Sequence, residues 1–224
     1  MATGYYVTGT DTGVGKTLAS VTLLHALQAQ GRRAVGLKPV ASGSTQGPEG
    51  WRNEDALALQ AASRPMPDYA HVNPYALPAA TAPQIAAAKA QADVRLEVLL
   101  DAYAALAANA DVVVVEGVGG WLAPFAHGIE QAEMARALKL PVILVVGMKL
   151  GCLNHARLSE RAIRADGLEL AGWIGNHVLP DLEYAGEYSV LLREALSAPC
   201  LGLLPHDEVR DPSRFTKKLR FVDS

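Results

Sequence analysis

The sequence predicts a doubly wound α/β fold, a mostly parallel sheet with helices on both faces. Three observations carry that prediction. Strand-like and helix-like runs alternate along the 224 residues, the order expected of a parallel sheet wrapped by helices. Two strand-like runs, Val112 to Val115 and Val142 to Val146, are apolar at every position. They have no polar face and must be covered on both sides. Finally, the first strand enters the first helix through a glycine-rich loop, a junction at which backbone N–H groups gather around an anion.

Taken in order, Tyr5 to Thr8 reads as the first strand and Leu18 to Gln30 as the first helix, closed by Gly31. Between them lies Gly9-Thr10-Asp11-Thr12-Gly13-Val14-Gly15-Lys16-Thr17. Strand, glycine loop, Gly-Lys-Thr and helix together make a phosphate-binding P-loop, so the fold expected is the P-loop NTPase fold. Thr10 stands where the usual pattern has its first glycine, and Gly9 lies one place earlier, so the loop is a variant. Gly13, Val14, Gly15, Lys16, Thr17 and Leu18 are the expected phosphate-side residues. Lys16 reaches the β- and γ-phosphates, and the Thr17 hydroxyl is a hard-oxygen ligand suited to Mg²⁺.

Ala34 to Leu37 is a short buried strand that leaves through Lys38 into Pro39, where ladder and helix both stop. Ala41 to Trp51 reads as a polar loop. Glu54 to Ala62 is a short helix with Asn53 as N-cap. Ser63 to Ala80, with prolines at 65, 67, 74 and 78, reads as irregular. Thr81-Ala82-Pro83-Gln84 has capping-box spacing and opens a helix. A further helix runs from roughly Asp93 to Asn109 and leads into the strand Asp111 to Glu116, which ends in Gly117-Val118-Gly119-Gly120. Helix Glu130 to Lys139, strand Val142 to Val146, helix Asn154 to Asp166, strand Leu170 to Asn176, helix Tyr184 to Ser197 and strand Leu201 to Leu204 follow. The basic tail Arg214 to Leu219 reads as a terminal helix. Residues 1–224 are expected to form a single P-loop α/β domain.

Half of the residues are hydrophobic and the net charge is −3. That composition supplies a core and gives no bulk attraction to nucleic acid or to an anionic membrane. No N-terminal signal pattern and no apolar run of membrane-spanning length is present, so no membrane partner and a cytoplasmic location are expected. Cys152 and Cys200 form no ligand pattern and read as reduced thiols. His25, His71, His127, His155 and His177 lack metal-ligand spacing.

In a doubly wound sheet, ligands bind beyond the carboxyl ends of the strands. The P-loop, Lys38, Glu116, Gly147-Met148-Lys149 and Asn176 should therefore share one rim. Glu116, ending an all-valine strand opposite a P-loop, suits the acidic position that completes a Mg²⁺ shell. Asp55 is a second candidate carboxylate. Lys38 suits a cation that steadies charge during phosphoryl transfer. Ser42 offers a hydroxyl in the next loop.

These residues carry a resemblance. The P-loop, Gly36-Leu37-Lys38-Pro39-Val40-Ala41-Ser42-Gly43, Asn53-x-Asp55-Ala56, Asn73-Pro74-Tyr75, Val115-Glu116-Gly117-x-Gly119-Gly120, Leu150-Gly151-Cys152-Leu153-Asn154-His155 and Gly172-Trp173-Ile174-x-Asn176 resemble, in register from about residue 3 to 190, the dethiobiotin synthetase family. The resemblance implies a biotin-pathway ligase acting on 7,8-diaminononanoate, CO₂ and MgATP. It implies Lys16, Lys38 and Thr12 as catalytic residues and Thr17, Asp55 and Glu116 as metal-side oxygens. The resemblance also implies that Thr12, Ser42 and Gly119 would line the substrate pocket, and that Gly117, Gly119, Asn176, Pro205, His206 and Asp207 would lie on the nucleotide, with Asn176 reading adenine. The family is a homodimer, so by match Leu153, Asn154 and Tyr188 would hold the substrate carboxylate from the partner subunit. Three places depart from the family pattern: Ala82, where a serine is common, His206-Asp207, which lacks the aromatic that often follows Pro205, and His177, which follows Asn176 where the family can carry an acid. The rival reading is a P-loop ATPase switch of the partitioning or division-site type, hinted at by the basic tail. An amidoligase of the cobyrinic acid type would need an added glutaminase domain.

Overall fold

The computed structural model describes residues 3–126, 128–206 and 211–219. Six strands form the central sheet: β1 (Thr3–Gly9), β2 (Ala34–Leu37), β7 (Val112–Gly120), β8 (Val142–Met148), β9 (Leu170–His177) and β10 (Cys200–Leu204). Their spatial order is β10-β9-β8-β1-β7-β2, and every pairing is parallel. The order turns back on itself at β1, which places the P-loop at the centre of the carboxyl rim, where such sheets bind ligands.

The valine run explains why β7 is central. Val112 and Val114 pack into the cluster on one face, with α1 (Lys16–Ala29) and α2 (Glu54–Ala62). Val113 and Val115 pack into the cluster on the other, with α5 (Leu96–Ala107), α6 (Gln131–Leu138), α7 (Cys152–Ala165) and α8 (Ala185–Ala195). Each valine is at most 1% exposed, and burying one contributes about 1.5–3 kcal/mol. The same alternation recurs in β8, where Ile143 and Val145 face one cluster and Leu144 and Val146 the other.

Several boundaries differ from expectation, each for a physical reason. The 41–51 loop contains structure: β3 (Val40–Ser42) and a hairpin of β4 (Thr45–Gly47) with β5 (Gly50–Arg52). The proline-rich stretch holds a single-turn α3 (Tyr69–Val72) and a three-residue β6 (Tyr75–Leu77) paired in parallel with β3. Pro74 and Pro78 bracket β6, so neither removes one of its ladder donors. Thr81 does not cap the next helix. α4 (Pro83–Ala90) opens on Pro83 with Ala82 at the N-cap and no side-chain cap bond, since proline at the first position is already set at a helical φ. Asn53 does cap α2, accepting from the N–H groups of Asp55 and Ala56. β7 runs on past Glu116 through the glycines to Gly120. α7 begins at Cys152, two residues earlier than expected, after Gly151 at φ 91°. The terminal helix expected of the tail is present as a 3₁₀ helix, Pro212–Lys218. Its apolar residues Phe215 and Leu219 are buried in the core beside α1, so they form no free amphipathic face. Among the described residues no helix is long and apolar enough to cross a membrane.

Candidate active site

A cleft of about 1100 Å³ opens at the carboxyl rim. Its walls include Thr12, Gly13, Gly15, Lys16, Thr17 and Leu18 from the P-loop and α1, Lys38 after β2, Ser42 of β3, and Asp55 of α2. Glu116 and Gly119 of β7, Asn176 of β9, and Pro205 and His206 after β10 complete them. Segments spread from residue 12 to residue 206 thus deliver polar groups to one cavity.

The P-loop is shaped by its glycines. Gly15 sits at φ 86°, and a Cβ there would lie 2.2 Å from the Asn176 amide nitrogen. Glycine is therefore required both by conformation and by closeness. Val14 is not on the wall. Its side chain is 1% exposed, wedged against the backbones of Gly9 and Gly147, where an added Cβ would clash with it at 2.7 Å. Its carbonyl accepts from Asn176 Nδ2 at 2.9 Å. That bond leaves Asn176 Oδ1 buried and without a partner, an acceptor suited to an exocyclic amine.

The charges are deeply set. Lys38 is 4% exposed and Glu116 is fully buried. Lys38 Nζ donates to Glu116 Oε1 at 2.6 Å, to Asp55 Oδ2 at 3.3 Å and to the Gly117 carbonyl at 3.2 Å. Burial opposes the Lys38 charge, but Glu116 and Asp55 outweigh it and hold the ammonium above its ordinary range. Burial likewise pushes the Asp55 carboxyl up, yet Lys38 and the Thr17 hydroxyl bring it below its usual value. Among the described residues no carboxylate pairs with Lys16. Its Nζ donates to the Asp11 carbonyl at 3.2 Å. Burial, with the nearby Lys38 adding to it, lowers its pKa to about 8.

The residues present fit a hard divalent ion. Thr17 Oγ1 donates to Glu116 Oε1 at 2.9 Å, so hydroxyl and carboxylate meet at one point, and Asp55 is drawn to the same place by Lys38. Glu116 Oε2 is buried with no hydrogen-bond partner, a cost that a cation would relieve. Among the described residues no cluster of three or more His, Cys, Asp or Glu exists. A hydroxyl and two carboxylates are oxygen donors of the kind a hard divalent ion takes together with substrate phosphates.

Other expected residues fall elsewhere. Gly117 lies behind the wall and contributes its carbonyl to Lys38. Leu153 and Tyr188 pack on the outer face of the α5–α8 cluster, and Asn154 is exposed in the first turn of α7. None of the three lines this chain's own cleft. Asp207 and His127 lie outside the described residues. His25 and His177, which lack metal-ligand spacing in the sequence, both border the cleft. Sequence reasoning missed the Asp11 carbonyl that holds Lys16, as well as Val118 and Ala123 on the wall. It also missed Gln131, buried behind Gly117. A main-chain acceptor and a lone glutamine leave no motif by which to find them.

A parallel doubly wound sheet with a P-loop, a lysine-bearing rim and an acidic strand end defines a P-loop nucleotide-binding protein. The fold is shared with the signal recognition particle receptor FtsY from Elizabethkingia anophelis in complex with GDP. The TM-score is 0.58 at 16% identity, over 100% of this chain and 61% of that one. The cell division protein ftsY of Thermotoga maritima gives 0.58 at 17%, over 97% and 68%. The family described as "AAA domain" matches residues 3–214, and the chain belongs to it. Within it the relatives are closer. The ATP-dependent dethiobiotin synthetase BioD of Xanthomonas euvesicatoria pv. vesicatoria (strain 85-10) is 59% identical over 201 residues, 90% of each chain. That of Xylella fastidiosa (strain 9a5c) is 60% identical over 202 residues, 90% of this chain and 89% of its own. The chain belongs to the ATP-dependent dethiobiotin synthetase family.

Proposed function

We propose that this chain is the ATP-dependent ligase that closes the ureido ring of dethiobiotin from 7,8-diaminononanoate, CO₂ and ATP in biotin biosynthesis. The observation that carries the reading is Lys38. It is a second lysine, buried in the P-loop cleft and held by two carboxylates, where phosphoryl transfer between two anions needs fixed positive charge.

The chemistry follows from that charge. One substrate amine adds to CO₂ and loses a proton to give a carbamate. A carbamate oxygen attacks the γ-phosphorus, the bond to the β-bridging oxygen breaks, and ADP leaves. The second amine then attacks the carbonyl carbon of the mixed anhydride, the carbon–oxygen bond to phosphate breaks, and the ring closes. Lys16 neutralises the β- and γ-phosphates, and Lys38 turns from Glu116 toward the transferring group. Gly13, Gly15 and the start of α1 present N–H groups to the phosphates. Thr12, Ser42 and Gly119 orient the diamine, and Asn176, Pro205 and His206 border the base. Thr17, Asp55 and Glu116 would hold Mg²⁺, whose charge would offset that of the phosphates.

The working unit in this reading is a homodimer in the cytoplasm, with no nucleic acid or membrane partner. Leu150, Tyr184, Val190 and Leu191 are exposed apolar side chains on or beside α7 and α8, near Leu153, Asn154 and Tyr188. A partner covering that surface would bring its own copies of those three residues to the substrate carboxylate.

The test is phosphate release by the purified protein with bicarbonate and MgATP. Release should require the diamine. Diamine-independent turnover would support the ATPase switch instead.

A further inference from the structure

We propose that Gln131 is a positioning residue for the diamine half of the site, holding the wall 117–123 in its binding shape. The proposal rests on the ligase reading above.

Gln131 opens α6 and is fully buried, yet none of the cleft wall is its own. Its amide is spent on the segment that follows Glu116. Oε1 accepts from the Val118 N–H at 3.1 Å and from the Tyr6 hydroxyl at 3.1 Å. Nε2 lies 2.9 Å from the Val118 and Gly120 carbonyls, 2.7 Å from that of Ala123 and 3.4 Å from that of Trp121. The amide orientation is fixed by this set, since reversing it would place its donor on an N–H and its acceptor on carbonyls. A chain that leaves a strand and bends through glycines has orphan carbonyls, and buried ones must be partnered. The Gln131 amide, with two hydrogens to share among these carbonyls, spans the turn from Val118 to Ala123, and the Gly120 carbonyl also accepts from the Ala123 N–H at 3.0 Å.

The consequence reaches the cleft. Val118, Gly119 and Ala123 line it, and Gly119 sits at φ 50°, where a Cβ would lie 3.4 Å from Thr12 Oγ1. The glutamine also explains Gly117. A Cβ there would lie 2.1 Å from Gln131 Oε1 and 3.0 Å from the Tyr6 ring. Tyr6 is itself clamped, its ring meeting Trp121 edge-on at 5.8 Å. Gln131, Tyr6 and Gly117 thus form one block that sets the wall facing Thr12. In the ligase reading this wall and Gly119 serve the diamine, and the phosphates are held by Gly13, Gly15 and Lys16.

Gln131→Met keeps length and removes every bond. It is expected to raise the diamine KM about tenfold or more, because misplacement by an ångström is costly in a positioned site. Affinity for a non-hydrolysable ATP analogue should stay within about twofold, a split that general unfolding would not produce. Tyr6→Phe removes one bond to the same amide and should move the diamine KM the same way by less. It decides the question by the same split if Gln131→Met does not fold. Unchanged diamine KM, or equal loss of diamine and nucleotide affinity in a folded variant, overturns the role of Gln131. Wild-type protein that releases no phosphate in response to the diamine overturns the ligase reading and this role with it.

Discussion

The two ends of the central sheet carry ion pairs of opposite character. At the amino end, Arg33 before β2 and Asp111 before β7 form an open pair. Arg33 Nη2 donates to Asp111 Oδ1 at 2.7 Å and the Arg33 N–H donates to Oδ2 at 2.8 Å. Both carboxylate oxygens are satisfied, and the side chains are 60% and 35% exposed. At the carboxyl end, Lys38 and Glu116 are almost wholly buried in the cleft wall and Glu116 still has an orphan oxygen. The amino-end pair needs nothing further to be stable. The carboxyl-end pair costs desolvation and is left incomplete, which stability alone does not explain. An unpaired carboxylate oxygen on a buried charge beside a P-loop suits a ligand, and that difference is open to experiment.

The largest effect should come from Lys38→Ala. Turnover in diamine-dependent phosphate release is expected to fall by about 3 kcal/mol or more, the scale of one lost transition-state charge contact. The same change leaves Glu116 buried without its cation, so the thermal midpoint should fall as well. Adding Glu116→Gln should recover part of the stability and none of the turnover, because the two residues share one interaction. A single variant within about twofold of wild type would remove Lys38 from the reaction.

A middle-sized effect tests whether the carboxyl rim is completed from outside the chain. Tyr188 lies away from its own cleft, so in the dimer reading it acts across an interface. Tyr188→Phe should weaken diamine binding by about 1.5 kcal/mol, the value of a hydrogen bond to a charged group, and leave ATP binding alone. Calorimetric titration of each ligand separates the two. If both affinities fall together, the partner-supplied carboxylate site is misplaced.

The contrast between the ends also explains what could be read in advance. The sheet was legible because Val112 to Val115 and Val142 to Val146 admit no solvent face, and the phosphate end because Gly15-Lys16-Thr17 follows a strand. Lys38 and Glu116 could be assigned to one rim by topology, since parallel strands deliver their carboxyl ends together. Their mutual 2.6 Å contact could not, because it depends on how far each strand extends. The short strands β3 and β6 were hidden for a different reason. Each holds three residues, and their pairing is set by tertiary neighbours rather than by alternation. The role of Gln131 was hidden because a glutamine has no period and its partners are main-chain carbonyls.

The smallest effect belongs to the amino end, and its sign can be worked out. The Arg33 guanidinium and N–H hold Asp111 at about 2, against an ordinary 3.8. A carboxylate with a lowered folded pKa contributes stability that is present above its unfolded value and lost as pH falls through the folded one. Asp111→Asn should therefore lower the thermal midpoint slightly at neutral pH, and the gap from wild type should close between about pH 4 and 2. The pair is exposed, so added salt should shrink the gap further. Turnover should not change, because nothing at this end reaches the cleft. A loss of activity in Asp111→Asn at neutral pH would mean that the two ends are coupled through β7, and the division between a finished and an unfinished end would fail.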